Sequence, residues 1–366
     1  MKFVEPVYIT RPLVAPLEAL ANGLESVWES QWFTNNGPRV RELEQKLAAE
    51  LDTAKPLLVT NGTVALHVAL RTLGLQPGTI LTTPFTWIAT SSSILWEGYT
   101  PKLVDVNPNT FNIDVSKIEE AITDDTVAIM AVHVFSNPCD VEALERISKQ
   151  YNLPIIYDAA HAFGVQVGGK SIFSWGDIST ASFHATKVFN TAEGGGVFCS
   201  TPEHYEIAYS IRDFGYDRSR NIERLGTNAK MSELHAVLGL INLPLMEGAI
   251  NKRRLLTKTY RAILDGHVRF QQFNPDAYNY AYMPVVFASE NELLRVFEHL
   301  QDHNVFPRRY FYPSLSEVTT LLPNQPCPVA EDLASRILCL PLYPTLEVEA
   351  VKQVGRLIVE SLCAST

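Results

Sequence analysis

The chain has 366 residues, of which 46% are hydrophobic, 19% charged and 10% aromatic. At roughly 150 residues per domain this suits two soluble domains with large cores and excludes a disordered chain. Thirty Lys and Arg against forty Asp and Glu leave a net charge of −10, which argues against a nucleic-acid-coating surface but not against a local phosphate pocket. The five cysteines, at 139, 199, 327, 339 and 363, form no CxxC pair. Their odd number suits reduced thiols in a cytoplasmic protein better than a disulfide framework. Met1–Pro6 does not read as a signal peptide, and no run of 18 uninterrupted apolar residues suggests a membrane span.

In chain order, Leu57-Leu58-Val59 reads as a strand stopping at Thr60-Asn61-Gly62-Thr63, and Leu66, Ala69, Leu70 and Leu73 then share one helical face. Lys102–Val106 reads as a further strand, and Val127–Val134 as one buried on both faces. Glu142–Gln150 is an amphipathic helix feeding the strand Pro154–Tyr157, which ends at Asp158. Ala181–Phe183 and Gly196–Cys199 complete the set. Strands alternating with helices predict an α/β domain with a mostly parallel sheet. The pattern changes near Pro244, where a helix over Asn251–Leu264, Tyr- and Pro-rich segments and a last helix over Glu349–Leu362 predict a smaller C-terminal domain. We place the domains at 1–244 and 245–366.

Gly164–Ser171 satisfies G-x-x-x-x-G-K-[ST], the phosphate loop of many NTPases. That loop needs a helix after it, whereas Val165-Gln166-Val167 alternates like a strand and Gly168-Gly169 is hairpin chemistry. The hairpin reading prevails. Asn61-Gly62-Thr63, between strand and helix, suits a phosphate through free N–H groups and the helix dipole, or else Thr63 is an ordinary N-cap. Asp158, at a strand's carboxyl end, can hold a cationic ring nitrogen or a metal, or cap the next helix. His161 fits a site or a core equally well.

Lys187 is more telling. It follows a strand in the apolar stretch Ala181–Asn190, ahead of Glu193-Gly194-Gly195-Gly196, with no polar face to snorkel to. A desolvated lysine has a lowered pKa and can condense with a carbonyl as a Schiff base. Ser182, five residues earlier, offers a hydroxyl to a phosphate.

Phosphate cradle, strand-end Asp and lysine, in that order, resemble a fold-type I enzyme of pyridoxal 5′-phosphate (PLP). The stretches Thr34–Pro38, Asn61–His67, Asp158–Ala162, Ser182–Gly195, Gly226–Glu233 and Leu340–Pro344 resemble the DegT/DnrJ/EryC1/StrS family of nucleotide-sugar aminotransferases. The likeness runs from about residue 8 to about 358. It implies a large PLP-binding domain with a mostly parallel sheet and a smaller C-terminal α+β domain. It also implies that Lys187 binds the cofactor covalently, that Asp158 meets the pyridine nitrogen, and that His161 lies near the ring hydroxyl. Trp87 would stack on the ring, with Gly62, Thr63 and Ser182 on the phosphate. Asn228 would reach the phosphate of the neighbouring subunit, making a homodimer with shared sites. On the substrate side the likeness points to Asn36, His184, Arg309, Tyr310 and Tyr312, and no metal is implied.

Two departures stand out: Phe135-Ser136-Asn137-Pro138 replaces the family's usual Tyr-Gly, and Lys230 replaces its usual Arg. Some relatives carry histidine for the lysine and act as dehydrases, so Lys187 favours transamination. Arg308–Pro313, Pro138–Asp140 and Thr110–Asp114 look most like the VioA-type branch, which forms dTDP-4-amino-4,6-dideoxyglucose from dTDP-4-keto-6-deoxyglucose. On the bland reading Arg308 and Arg309 are a solvated pair and the tyrosines are core. L-Glutamate is the donor by family analogy, and polysaccharide or O-antigen synthesis the setting. Another keto position, a GDP or UDP sugar, and a non-catalytic sugar-binding protein are the alternatives. Nucleic acid and membrane are not expected partners.

Overall fold

In the computed structural model, which describes residues 2–322 and 324–364, strands number fourteen among the described residues. Seven of them form the central sheet: β2 (Leu57–Val59), β3 (Thr79–Thr82), β4 (Thr100–Leu103), β5 (Thr126–Val132), β6 (Ile155–Asp158), β9 (Ile178–Ser182) and β10 (Gly195–Cys199). Their order is β2-β10-β9-β6-β5-β3-β4. β10 runs antiparallel to both neighbours, and the other pairs are parallel. Alternate residues go to opposite faces, as a period of two demands. Leu58, Leu81, Ile129 and Tyr157 enter one core, while Leu57, Ile80, Met130 and Ile156 enter another across the sheet.

β4 starts two residues earlier than the sequence pattern suggests and stops at Leu103, because Thr100–Leu103 pairs in register with Thr79–Thr82. Pro101 is tolerated there because β4 is an edge strand. The NTPase-like stretch is a hairpin. β7 (Gln166–Val167) pairs antiparallel with β8 (Lys170–Ser171) across Gly168 and Gly169. Both glycines have positive φ, 59° and 73°, the backbone such a two-residue turn requires. A single 3₁₀ turn follows rather than a phosphate-binding helix.

The C-terminal part is α+β. β11 (Arg269–Phe270), β12 (Met283–Val286) and β14 (Ile337–Leu340) form an antiparallel sheet. The long helices Met246–Leu264, Glu290–Asp302 and Val348–Cys363 join its core through Leu256, Leu293 and Ile358. β1 (Val7–Tyr8) pairs with β13 (Val305–Phe306), and Val7 is buried in this same core. The N-terminal segment therefore packs with the C-terminal part. The helical run Glu233–Leu264 is long and apolar enough to cross a membrane, with a mean hydropathy of 1.2 over 18 residues. Here Val237, Leu243, Met246 and Leu256 are buried in the protein. Arg253, also buried, donates to the Ala281 and Leu342 carbonyls.

Candidate active site

The carboxyl ends of β5, β6 and β9 open into a cavity of about 650 Å³, where ligands gather in open α/β sheets. Lys187 lies in the loop after β9. Phe183, Val188 and Phe189 anchor that loop in the core, and it closes on itself through Phe183 N–H to Gly194 O (2.8 Å) and Ala185 N–H to Ala192 O (2.7 Å). The lysine is thus carried on an apolar pedestal with its amine in the cavity. Nζ lies 3.5 Å from the Tyr282 hydroxyl. Burial pulls its pKa down to about 8, the Asp158 carboxylate opposing part of the shift. A lysine poised there is an available nucleophile and proton carrier.

Asp158 ends β6, fully within the site. Its Oδ2 accepts from Thr90 Oγ1 at 2.8 Å and its Oδ1 from Ala160 N–H at 3.2 Å. Burial pushes its pKa up, and the two hydrogen bonds and Lys187 counter only part of that. Such a carboxylate gains most from a cationic group facing it. His161 Nδ1 accepts from Phe135 N–H at 3.3 Å, so the imidazole proton sits on Nε2. Burial holds its pKa well below 6.5, and the Lys187 charge acts in the same direction, so the ring stays neutral. It packs parallel to Phe135 and Phe311, at 10° and 5°.

The helix Gly62–Leu73 begins at the cavity. Its N-cap is Asn61, whose Oδ1 accepts from Val64 N–H at 2.8 Å. That corrects the N-cap reading of Thr63, which sits inside the first turn and lines the cavity. A Cβ added at Gly62 would lie 2.7 Å from the Ser182 Cβ and 3.1 Å from its Oγ. The helix N-terminus and Ser182 therefore meet across a gap that admits no side chain. Free N–H groups, two hydroxyls and the dipole converge on it, which is the chemistry a phosphate requires.

Of the residues singled out from the sequence, Gly62, Thr63, Trp87, Asp158, His161, Ser182, His184, Lys187 and Tyr310 line this one cavity. The others lie elsewhere in the chain's own fold. Asn36 lines a second cavity, of about 740 Å³, with Trp32, Arg212 and Lys230. Asn228 is exposed, its backbone bridged to Asp213. Arg309 is not in the cavity because it is engaged outside, donating to Glu290 Oε1 (2.6 Å) and Ser335 O (2.9 Å) and lying over the Tyr312 ring at 3.4 Å. Tyr312 is half-exposed there. Arg308 and Phe311 take the inward positions instead.

Sequence reasoning passed over Thr90 and Tyr282, and of the arginine pair it chose Arg309 where Arg308 lines the cavity. Thr90 carried a weak signal, three residues after Trp87 at a helix start. Tyr282 is indistinguishable in sequence from the neighbouring core tyrosines.

A buried acid, a lysine of lowered pKa and a helix N-terminus facing the Ser182 hydroxyl meet at the strand ends, an arrangement suited to a PLP-dependent aminotransferase. The model of the DegT/DnrJ/EryC1/StrS aminotransferase family matches residues 17–359, and the chain belongs to that family, whose members use PLP. The chain is 40% identical over 358 residues to a dTDP-4-amino-4,6-dideoxy-D-glucose transaminase of Shigella dysenteriae, covering 96% of this chain and 97% of that one. It is 36% identical over 364 residues to an Escherichia coli protein of the same name, with the same coverage. Among solved structures, DesI crystallised with its TDP-sugar product superposes with a TM-score of 0.92 at 31% identity, over 100% of this chain and 94% of that one.

Proposed function

We propose that this chain transfers an amino group from L-glutamate to C4 of dTDP-4-keto-6-deoxy-D-glucose, forming the 4-amino sugar in the cytoplasm for polysaccharide assembly such as O-antigen. Support comes from the two transaminases of that name, each matched over nearly its full length. The observation that carries the chemistry is Lys187: one amine at a pKa of about 8, in a cavity it shares with Asp158.

PLP, when bound, supplies an electron-accepting ring that stabilises negative charge on the carbon losing its proton. Asp158 would hold the ring nitrogen protonated, oriented by Thr90 and the Ala160 N–H. Ser182, Thr63 and the N–H groups at Gly62 would hold the phosphate. Trp87 would cover the ring on its solvent side, and neutral His161 would donate from Nε2. Lys187 would anchor the cofactor, and its Nζ would then move the proton at the donor's α-carbon. Apolar walls such as Phe311 and Val132 would lower the local dielectric around these groups once cofactor and substrate fill the cavity.

The reading extends to a homodimer with shared sites, in which exposed Asn228 serves the neighbouring chain's phosphate. Pairing a Lys187→Ala chain with an Asn228→Ala chain puts both lesions in one site and leaves the other intact. The mixed dimer should recover about half of wild-type activity; no gain over the mean of the parents refutes shared sites.

For the reaction itself, purified enzyme is given L-glutamate with dTDP-4-keto-6-deoxy-D-glucose, its 3-keto isomer, or GDP- and UDP-linked keto sugars. Amination at C4 of the dTDP sugar, read by NMR and mass spectrometry with the highest kcat/KM, is the expected result. A preference for another sugar, or no product from any, overturns it.

A further inference from the structure

The two substrates in the proposed reaction are anions, and both enter one cavity of a protein with net charge −10. A local cation must receive them. The cavity-lining cations besides the histidines are Lys187 and Arg308, and Lys187 is committed to the cofactor. Among the described residues Arg308 makes no ion pair, whereas its neighbour Arg309 is bound to Glu290.

Arg308 is held firmly for an exposed side chain. Its backbone bonds in both directions with Cys339, at 3.1 and 2.8 Å, and Cys339 belongs to the buried strand β14. The guanidinium lies over the Tyr310 ring at 4.7 Å and near the Trp87 ring at 5.7 Å. These rings and a hydrogen bond with the Tyr310 side chain hold the guanidinium at the cavity, where its remaining N–H donors suit a bidentate oxyanion.

Its distance from the chemistry indicates which oxyanion. Arg308 is linked to the Lys187 amine through contacts of two aromatic side chains. Tyr310 packs on Tyr282 at 5.7 Å between centroids, and the Tyr282 hydroxyl touches Lys187 Nζ. An α-carboxylate stays one bond from the reacting carbon, so an arginine set apart from the amine suits an anion further along the substrate: the diphosphate of a nucleotide sugar, a hexose away from C4, or the side-chain carboxylate of glutamate.

We propose that Arg308 is the specificity-determining residue that binds the distal oxyanion of each substrate, so that one guanidinium serves both half-reactions in turn. This rests on the reading of the enzyme as a nucleotide-sugar aminotransferase. Because the anion lies away from the bond being broken, the contact contributes equally before and at the transition state. It acts on KM more than on kcat.

The test compares wild type, Arg308→Gln and Arg308→Lys as cofactor-loaded enzymes, with each half-reaction followed separately by absorbance. Arg308→Gln should raise KM about tenfold or more for both L-glutamate and the nucleotide keto sugar, with kcat within about threefold, as loss of one charged contact implies. Arg308→Lys should restore most of the loss. L-Alanine, an amino donor with no distal carboxylate, should react within about twofold of wild type. Free dTDP should inhibit wild type and lose potency against Arg308→Gln.

Loss confined to the glutamate arm would assign Arg308 to the carboxylate alone and overturn dual use, as would loss confined to the sugar arm, which assigns it to the diphosphate. No change in either arm, or an equal loss with L-alanine, overturns the proposal altogether. A wild-type enzyme that aminates no nucleotide sugar instead overturns the functional reading, and the paired glutamate and alanine arms still test Arg308.

Discussion

Two lysines, in two cavities of similar size, show how the surroundings of an amine set its state. Lys187 faces the 650 Å³ cavity with a tyrosine hydroxyl, not a carboxylate, at its amine. Lys230 lines the 740 Å³ cavity and is more deeply buried, yet its Nζ is bound to Asp213 Oδ1 at 2.9 Å. Burial pushes Asp213 up, but the Lys230 hydrogen bond, together with the charges of Lys230 and Arg220, outweighs it and holds the carboxyl below 3.8. Low solvent exposure alone therefore does not separate the two lysines; the partner at the amine does. Lys187 keeps its carboxylate at a distance: Asp158 is spent on Thr90 and Ala160, close enough to influence the amine and too far to neutralise it.

The comparison breaks most sharply on the lysines themselves. Lys187→Ala should cut turnover by at least about 10³-fold while the protein folds and still takes up pyridoxamine phosphate. Lys230→Met should leave kcat within about tenfold, since it removes an ion pair rather than a nucleophile. Turnover by Lys187→Ala within tenfold of wild type would move the reactive amine elsewhere.

Asp158→Asn comes next, with kcat down about 10²-fold and KM little changed. It also sharpens the electrostatic side of the comparison. Cofactor uptake by the apoenzyme needs the neutral amine, so its rate should rise with pH, with a midpoint at about 8. The Asp158 charge raises the Lys187 pKa. Removing that charge should therefore move the midpoint downward, and stopped-flow uptake across pH decides the sign. An upward shift would mean the two groups do not interact as placed.

Gly62→Ala tests the cradle. Its new methyl meets Ser182 at 2.7 Å, so PLP should bind about tenfold more weakly, roughly 1.4 kcal/mol. Equilibrium titration with PLP measures it, and unchanged affinity would place the phosphate elsewhere. The smallest effect on catalysis belongs to Asp213→Asn, which leaves Lys230 buried without its partner. Because Asp213 is partly exposed, the penalty should be about 1–3 kcal/mol, read as a lower unfolding midpoint in urea with kcat nearly unchanged. A stability equal to wild type would show the pair to be solvated.

Much of the site was legible because it is built from short stretches, each with a local physical signature. Asp158 follows an apolar strand, Gly62 sits between strand and helix, and Lys187 lies in an apolar run without a polar face. The sheet then brings their strand ends together. Arg308 and Arg309 were not separable in this way. Adjacent residues on an extended segment face opposite sides, and which side is the cavity depends on the pairing with Cys339 in β14, thirty-one residues further along. The same holds for Phe135. The sequence shows it only as a departure from the family's Tyr-Gly, whereas in the structure its N–H donates to His161 Nδ1 and its ring lies parallel to the imidazole.

By itself, then, the sequence determined the α/β class and singled out the loop lysine, the strand-end acid and the Asn61–Thr63 turn, which the fold brings to one cavity at the carboxyl ends of the strands. These depend on hydrophobic period and on residues within a few positions of one another. The tertiary structure alone decided which of two adjacent arginines faces the cavity, that Thr90 orients Asp158, and that Tyr282 stands at the Lys187 amine. It also decided that β1 packs with the C-terminal core. Each of those is a contact across tens to hundreds of residues, set by strand pairing and packing, for which no local periodicity leaves a trace.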